Sequence, residues 1–215
     1  MRCLFSVTVI FVGTFLGCRN DDFFVGDKML DYHVKIDTPS TQSYIVDFLD
    51  QVNRRLELPP IKKGFDSIQI RIWFFSDGEL PKTDLIILKN NKSWKGIHYC
   101  FNLKDYEFYD TAKLENINKK QLFTDQWNQL MKTLMENNFK KLPDYSVVNN
   151  YPLVSVQRAG ITIEFADVNQ YRLYSYIAPI YFQDKLVEQH QIRNIITAIC
   201  STFSLKEIRK SMLGN

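Results

Sequence analysis

Apolar and polar residues alternate along this chain with two different periods, and the changes of period divide it into elements. Ile45, Phe48, Leu49, Val52 and Leu56 recur at steps of mostly three and four, which lines one stripe of a helix. Thr38-Pro39-Ser40-Thr41 supplies a helix start and Pro59-Pro60 a stop. From Ser67 to Phe75 the period drops to two: Ile68, Ile70, Ile72 and Phe74 alternate with Gln69, Arg71, Trp73 and Phe75, as in a strand with one face in a core. Ser76-Asp77-Gly78 punctuates, Asp84 to Leu88 gives a second strand, Asn90-Asn91-Lys92 turns, and Trp94 to Leu103 gives a third.

The order then recurs. Asn118 with Gln121 three residues on has the form of a helix-capping pair, and Phe123, Trp127, Leu130, Met131 and Leu134 form the next stripe, ending near Leu142-Pro143. Strands follow at Leu153 to Gln157, Ile161 to Phe165 and Tyr171 to Ile177. A last helix over Gln183 to Phe203 carries Ile192, Ile195, Ile196, Ile199 and Phe203. With a further strand over Asp31 to Ile36, the pattern predicts an α+β fold: an antiparallel sheet of about six strands with helices mainly on one face. Its order, helix then three strands, occurs twice before a C-terminal helix, by duplication or by coincidence. Placing Ile161, Ile163 and Phe165 on one face with Tyr171, Leu173 and Ser175 predicts a register in which Glu164 opposes Arg172, across a loop of three or five residues.

Before these elements, Met1-Arg2 is followed by a chargeless run from Leu4 to Leu16, too short for a membrane span of about 20 residues but suited to a secretory leader. The run ends in Phe15-Leu16-Gly17-Cys18, which resembles the lipobox of bacterial lipoproteins, with Phe15 and Leu16 in place of the usual Leu and small residue. That resemblance implies removal of residues 1–17 and acylation of Cys18. Each buried CH₂ contributes about 0.8 kcal/mol, so two or more chains hold a protein to a bilayer lastingly. Asp21 and Asp22 resemble the acidic surface-export signal of Bacteroidetes-type lipoproteins, and equally suit a solvated tether. Residues 18–28 are accordingly expected to be a tether and 29–215 a single domain.

Composition narrows the partners. The formal charge is +3, and losing Arg2 with the leader leaves about +2, with no basic block to suit a nucleic acid. Hydrophobic residues make up 45% and aromatics 14%, enough for a sizeable core. Cys100 and Cys200 remain in an oxidising compartment, either paired or as two buried thiols.

Chemistry-bearing motifs are scarce. His33, His98 and His190 show no zinc-ligand spacing, and there is no nucleophile elbow, P-loop or dinucleotide fingerprint, so no metal or cofactor is expected. His98 and Cys100 share a strand face at i+2, where a thiol catalyst would need them side by side with an activated thiolate. Asp77, Glu79, Asp84, Asp105, Glu107 and Asp110 fall near strand ends, where paired acids can hydrolyse glycosides and where turns are acidic anyway. Arg71, Trp73 and Phe75 on one strand, and Arg172, Tyr174 and Tyr176 on another, repeat a pattern of arginine and two alternate aromatics. Such a face, if open, suits binding of sugars or protein; if covered, it is a second core layer.

The stretches IQIRIWFFSDGELPKTDLIILKNNKSWKGIHYCF and YRLYSYIAPIYF resemble a group of small Bacteroidetes-type lipoproteins. The matching features are an R-x-W strand (Arg71, Trp73), a strand ending in Leu-Lys (Leu88, Lys89), a Trp strand (Trp94) and a Y-R-x-Y-S-Y strand (Tyr171 to Tyr176) before a final helix. Where that group often has Asn-Pro, this chain has Ile177-Ala178-Pro179. The resemblance carries no activity. The sequence thus leads to an outer-membrane lipoprotein, facing the periplasm or the surface, whose domain binds a protein or glycan. A carboxylate-dependent hydrolase and a structural subunit of an envelope assembly are the alternatives.

Overall fold

A computed structural model describes Phe23 and residues 35–37, 43–76, 82–104, 113–151, 159–177, 179 and 186–214. In chain order these form β1 (Lys35–Asp37), α1 (Ser43–Arg55), β2 (Ile68–Phe75), β3 (Lys82–Asn91), β4 (Ser93–Lys104), β5 (Lys113–Leu122), α2 (Trp127–Glu136), β6 (Gly160–Ala166), β7 (Gln170–Ile177), α3 (Val187–Thr202) and α4 (Lys206–Leu213). The strands make one sheet in the order β1-β7-β6-β2-β3-β4-β5. Six strands pair antiparallel, and the short β1 runs parallel to β7.

Both sheet faces are covered. On one, Ile70, Ile72, Ile86, Leu88, Ile163 and Phe165 pack under α2, α3 and α4, whose buried residues include Leu130, Leu134, Ile192, Ile196 and Met212. On the other, Trp73, Leu85, Ile87, Tyr99, Tyr171 and Leu173 pack under Phe48, Leu49 and Val52 of α1 and the segment that follows it. Apart from Phe123, the predicted helical stripes are the observed contact stripes, because a helix covers an apolar sheet face with its apolar stripe.

Four expectations need correction. Asn118 and Gln121 do not cap a helix; they lie within β5, and Phe123, placed in the helical stripe, is 78% exposed ahead of α2. The short α4 was not predicted, although Ile208, Met212 and Leu213 of it are buried. Glu164 opposes Leu173, and Phe165 opposes Arg172, a shift of one residue from the predicted register. The cause is the turn: the Asp167 carboxylate accepts the backbone N–H groups of Asn169 (2.8 Å) and Gln170 (3.1 Å), closing an even, four-residue connection between Ala166 and Tyr171. Finally Phe23, assigned to the tether, is buried in the core beneath α1. The strand expected over Leu153 to Gln157 lies outside the described residues.

The register shift transfers Arg172, Tyr174 and Tyr176 to the face of Ile161, Ile163 and Phe165. There they hold an irregular strap, residues 139–151, against β7. Tyr174 Oη donates to the Phe139 carbonyl (2.6 Å), Tyr176 Oη to that of Pro143 (2.7 Å), and Arg172 to those of Lys140 and Leu142. Asp144 accepts the backbone N–H of Ser175 (2.8 Å), and Tyr151 Oη donates to the Ile177 carbonyl (2.6 Å). A segment without a regular ladder exposes its carbonyls, and burial requires each to find a donor. Tyr174→Phe therefore strands the Phe139 carbonyl, with an expected loss of about 1–3 kcal/mol in urea unfolding; an unchanged midpoint would refute this role.

Candidate functional site

The two arginine-aromatic rows proposed as one binding face lie on opposite sides of the sheet, and both are covered. Arg71, Trp73, Tyr174 and Tyr176 are at most 1% exposed. Phe75 and Arg172 are half-buried, Phe75 stacking on Trp73 and tilting against Phe48 of α1. The core-layer alternative is what the fold uses. Cys18, Asp21 and Asp22 lie outside the described residues.

Beneath α1 the first row becomes a buried polar network. Trp73 Nε1 donates to Glu164 (2.7 Å) and Tyr171 Oη donates to the same carboxylate (3.0 Å). Arg71, cross-strand from Glu164, donates to Gln69 Oε1 (3.0 Å) and to the Pro59 carbonyl (2.5 Å). Burial raises the Glu164 carboxyl above its ordinary range, while Arg71 and the two donors pull it back. Burial likewise lowers the Arg71 guanidinium against the attraction of Glu164. At 0% exposure the pair meets no substrate; it ties β2, β6 and β7 to the exit of α1.

A second cluster gathers Asp84, His98, Cys100 and Lys82. The His98 imidazole is 2.7 Å from Asp84 Oδ1, and Lys82 Nζ lies 3.7 Å from Oδ2. Cys100 opposes Asp84 across the β3–β4 ladder. Burial, then the charge of Asp84, push the Cys100 thiol up, the reverse of what a thiolate nucleophile requires. Cys200 is pushed up to about 12, chiefly by burial, and both cysteines are free thiols. Asp84 and Glu207 line a cavity of about 150 Å³, well below the roughly 300–1,000 Å³ of ligand pockets. Of the other carboxylates named as candidates, Asp77, Glu79, Asp105, Glu107 and Asp110 lie outside the described residues. Among the described residues no three His, Cys, Asp or Glu side chains gather to hold a metal.

The third place was not foreseen. At the sheet end marked by the Asn91-Lys92-Ser93 turn, Trp94, Trp127 and Phe123 line an open depression of about 530 Å³, with Lys95, Gln121 and Asp125 at its margin. The two indoles stack at 6.4 Å and 20°, and Trp127 meets Phe203 at 5.4 Å. Gly96 makes room for them: a Cβ there would come within 3.0 Å of Trp127 Cη2 and 3.1 Å of Leu122 Cβ. Gly96→Ala is expected to lose about 1–3 kcal/mol and to shift tryptophan emission; a variant with unchanged emission and midpoint would show the ring is not seated by that gap. The sequence pattern sets Phe123 and Trp127 in a helical stripe and Trp94 in a strand, and no periodicity joins the three into one site.

One further surface stands open. The edge strand β5 runs beyond the helical cover and is mostly exposed on both faces, with Ile117 50% exposed and lysines at 113, 119 and 120. A register shift between Cys100 and Asn102, with Asn116 at φ 54, marks a bulge in it. Among the described residues no helix is long and apolar enough to cross a membrane. No protein-family model matches the chain, and no curated protein matches it.

Proposed function

We propose that this chain is an envelope lipoprotein, anchored through acylated Cys18 after loss of residues 1–17, whose domain binds a protein partner without catalysis. The observation that carries the binding reading is the largely exposed edge strand β5. Protein domains seldom leave an edge strand exposed on both sides over most of its length, and surfaces of this kind serve as contact sites. The described groups that carry chemistry are spent on internal partners: Glu164 on Trp73 and Tyr171, Asp84 on His98 and Lys82, Asp144 on Ser146 and Ser175. A carboxylate hydrolase keeps one supporting feature, the Asp84–Glu207 cavity, which is too small for a sugar polymer.

Two measurements test the proposal. Mass spectrometry of protein extracted from native membranes is expected to find a diacylglyceryl group and a fatty acid on Cys18; an intact leader or a bare thiol there would overturn the anchoring. Pull-down from detergent-solubilised membranes is expected to recover a partner with the wild type and to lose it with Ile117→Asp/Lys120→Glu. Equal recovery would remove β5 as the binding surface.

A further inference from the structure

Phe23 fixes which end of the domain the anchor can reach. Its ring is buried against the α1 face of the sheet, with Lys89 Nζ 5.4 Å from the ring centroid. Lys89 opposes Lys95, next to Trp94 and two residues from the β3–β4 turn. From Cys18 to Phe23 the chain spans five residues, a reach of at most roughly 18 Å even fully extended. Lys82, at the far end of β3, lies seven residues from Lys89, about 23 Å at strand rise, which is longer than that reach. A lipid surface holding Cys18 therefore lies nearer the turn end of the sheet than the Lys82 end.

That end also carries the aromatic depression, on the sheet face opposite Phe23: Trp94 and Trp127 pack against the α2–α4 core and Phe23 against the α1 core. Phe123, 78% exposed, sits beside half-buried Trp94 and Trp127, and Lys92 and Lys95 are exposed around the turn. Aromatic rings with a polar margin are the side chains that partition into the headgroup layer of a bilayer, and lysines suit its phosphates. Asp125 on the opposite margin offsets part of the lysine charge, so the aromatic groups rather than net charge dominate. We propose that this depression is a second membrane contact: Phe123, Trp94 and Trp127 rest in the lipid headgroup layer and set the domain's orientation on the bilayer. The inference depends on Cys18 being acylated, and it commits the depression to lipid rather than to a soluble sugar.

Tryptophan quenching tests it. The full mature, acylated protein is reconstituted in phosphatidylcholine–phosphatidylglycerol vesicles whose acyl chains carry bromine close to the headgroup. The chain has three tryptophans, and Trp73 is 0% exposed, so it reports as an unquenched internal standard. Emission from Trp94 and Trp127 is expected to be quenched. Phe123→Asp, a substitution at an exposed position, is expected to lose most of that quenching while the protein still floats with the vesicles. Acylated, floating protein with unquenched emission would overturn the contact and leave the lipoprotein reading standing. Unquenched indoles whose emission responds instead to soluble peptidoglycan fragments would reassign the depression to a sugar and likewise overturn it. Protein with no acyl group on Cys18 would overturn both readings together.

Discussion

Arg71→Met is expected to destabilise the protein by about 3–5 kcal/mol, because it leaves Glu164 as a buried carboxylate without its cation. Glu164 and Arg71 are each 0% exposed, and the arginine also supplies the donor for the Pro59 carbonyl at the exit of α1. Removing one charge of such a pair costs more than removing both. Arg71→Met/Glu164→Gln should accordingly recover part of the loss, since Gln retains an acceptor for Trp73 and Tyr171 and needs no counter-charge. Urea unfolding of the two variants against the wild type decides the matter. A single variant within about 0.5 kcal/mol of wild type would show that the pair is dispensable.

Alkaline pH is expected to unfold the domain cooperatively. Burial raises the phenol of Tyr99 to about 12 and those of Tyr151, Tyr171, Tyr174 and Tyr176 further above their ordinary value. An unfolded chain releases these protons near pH 10, whereas the folded protein keeps them. Above that pH the unfolded state binds fewer protons, so stability falls as pH rises. It is intact below about pH 10 and drops by about 1.4 kcal/mol per phenol per pH unit until each folded value is reached. Five phenols together exhaust a typical stability of about 5–15 kcal/mol within about two units. Phenolate absorbance and far-ultraviolet circular dichroism should therefore change together in one sharp step. Gradual phenolate formation with the dichroism intact would show that the tyrosines ionise inside the native fold.

Apart from the short α4, elements that bury at least one face were legible in the sequence, whereas a strand that buries none was not, nor was the covering of a second face. The stripes Phe48-Leu49-Val52 and Ile192-Ile195-Ile196-Ile199 were written by contact with a sheet, and they read correctly as helices. β5 has no buried face along most of its length, so KLENINKKQL carries no period of two and was passed over. β2 is buried on both faces, and its alternation between Ile70, Ile72, Phe74 and Arg71, Trp73 marks two cores rather than a core and an open surface. That is why the arginine-aromatic rows looked like a binding face. The β6–β7 register depended on whether Asp167 would draw an extra residue into the turn, a choice that alternation alone could not express. Phe23 was hidden by its neighbourhood: Phe23-Phe24-Val25, between an acidic pair and Gly26-Asp27-Lys28, is too short a run to carry a period and does not announce that the chain has already joined the core.

The strap across β7 also governs how this sheet can meet its own copies. On that flank, Asp144 and Tyr151 take up backbone groups of Ser175 and Ile177 that a foreign strand would need, and β1 spans three of the described residues. The opposite flank, β5, is ten residues long, though its lysines and bulge discourage pairing. Propagation into a fibril needs two complementary flanks on every subunit, one to give and one to receive. Pairing through β5 alone joins like with like about a twofold axis, so association by that flank closes at a dimer instead of growing into a filament.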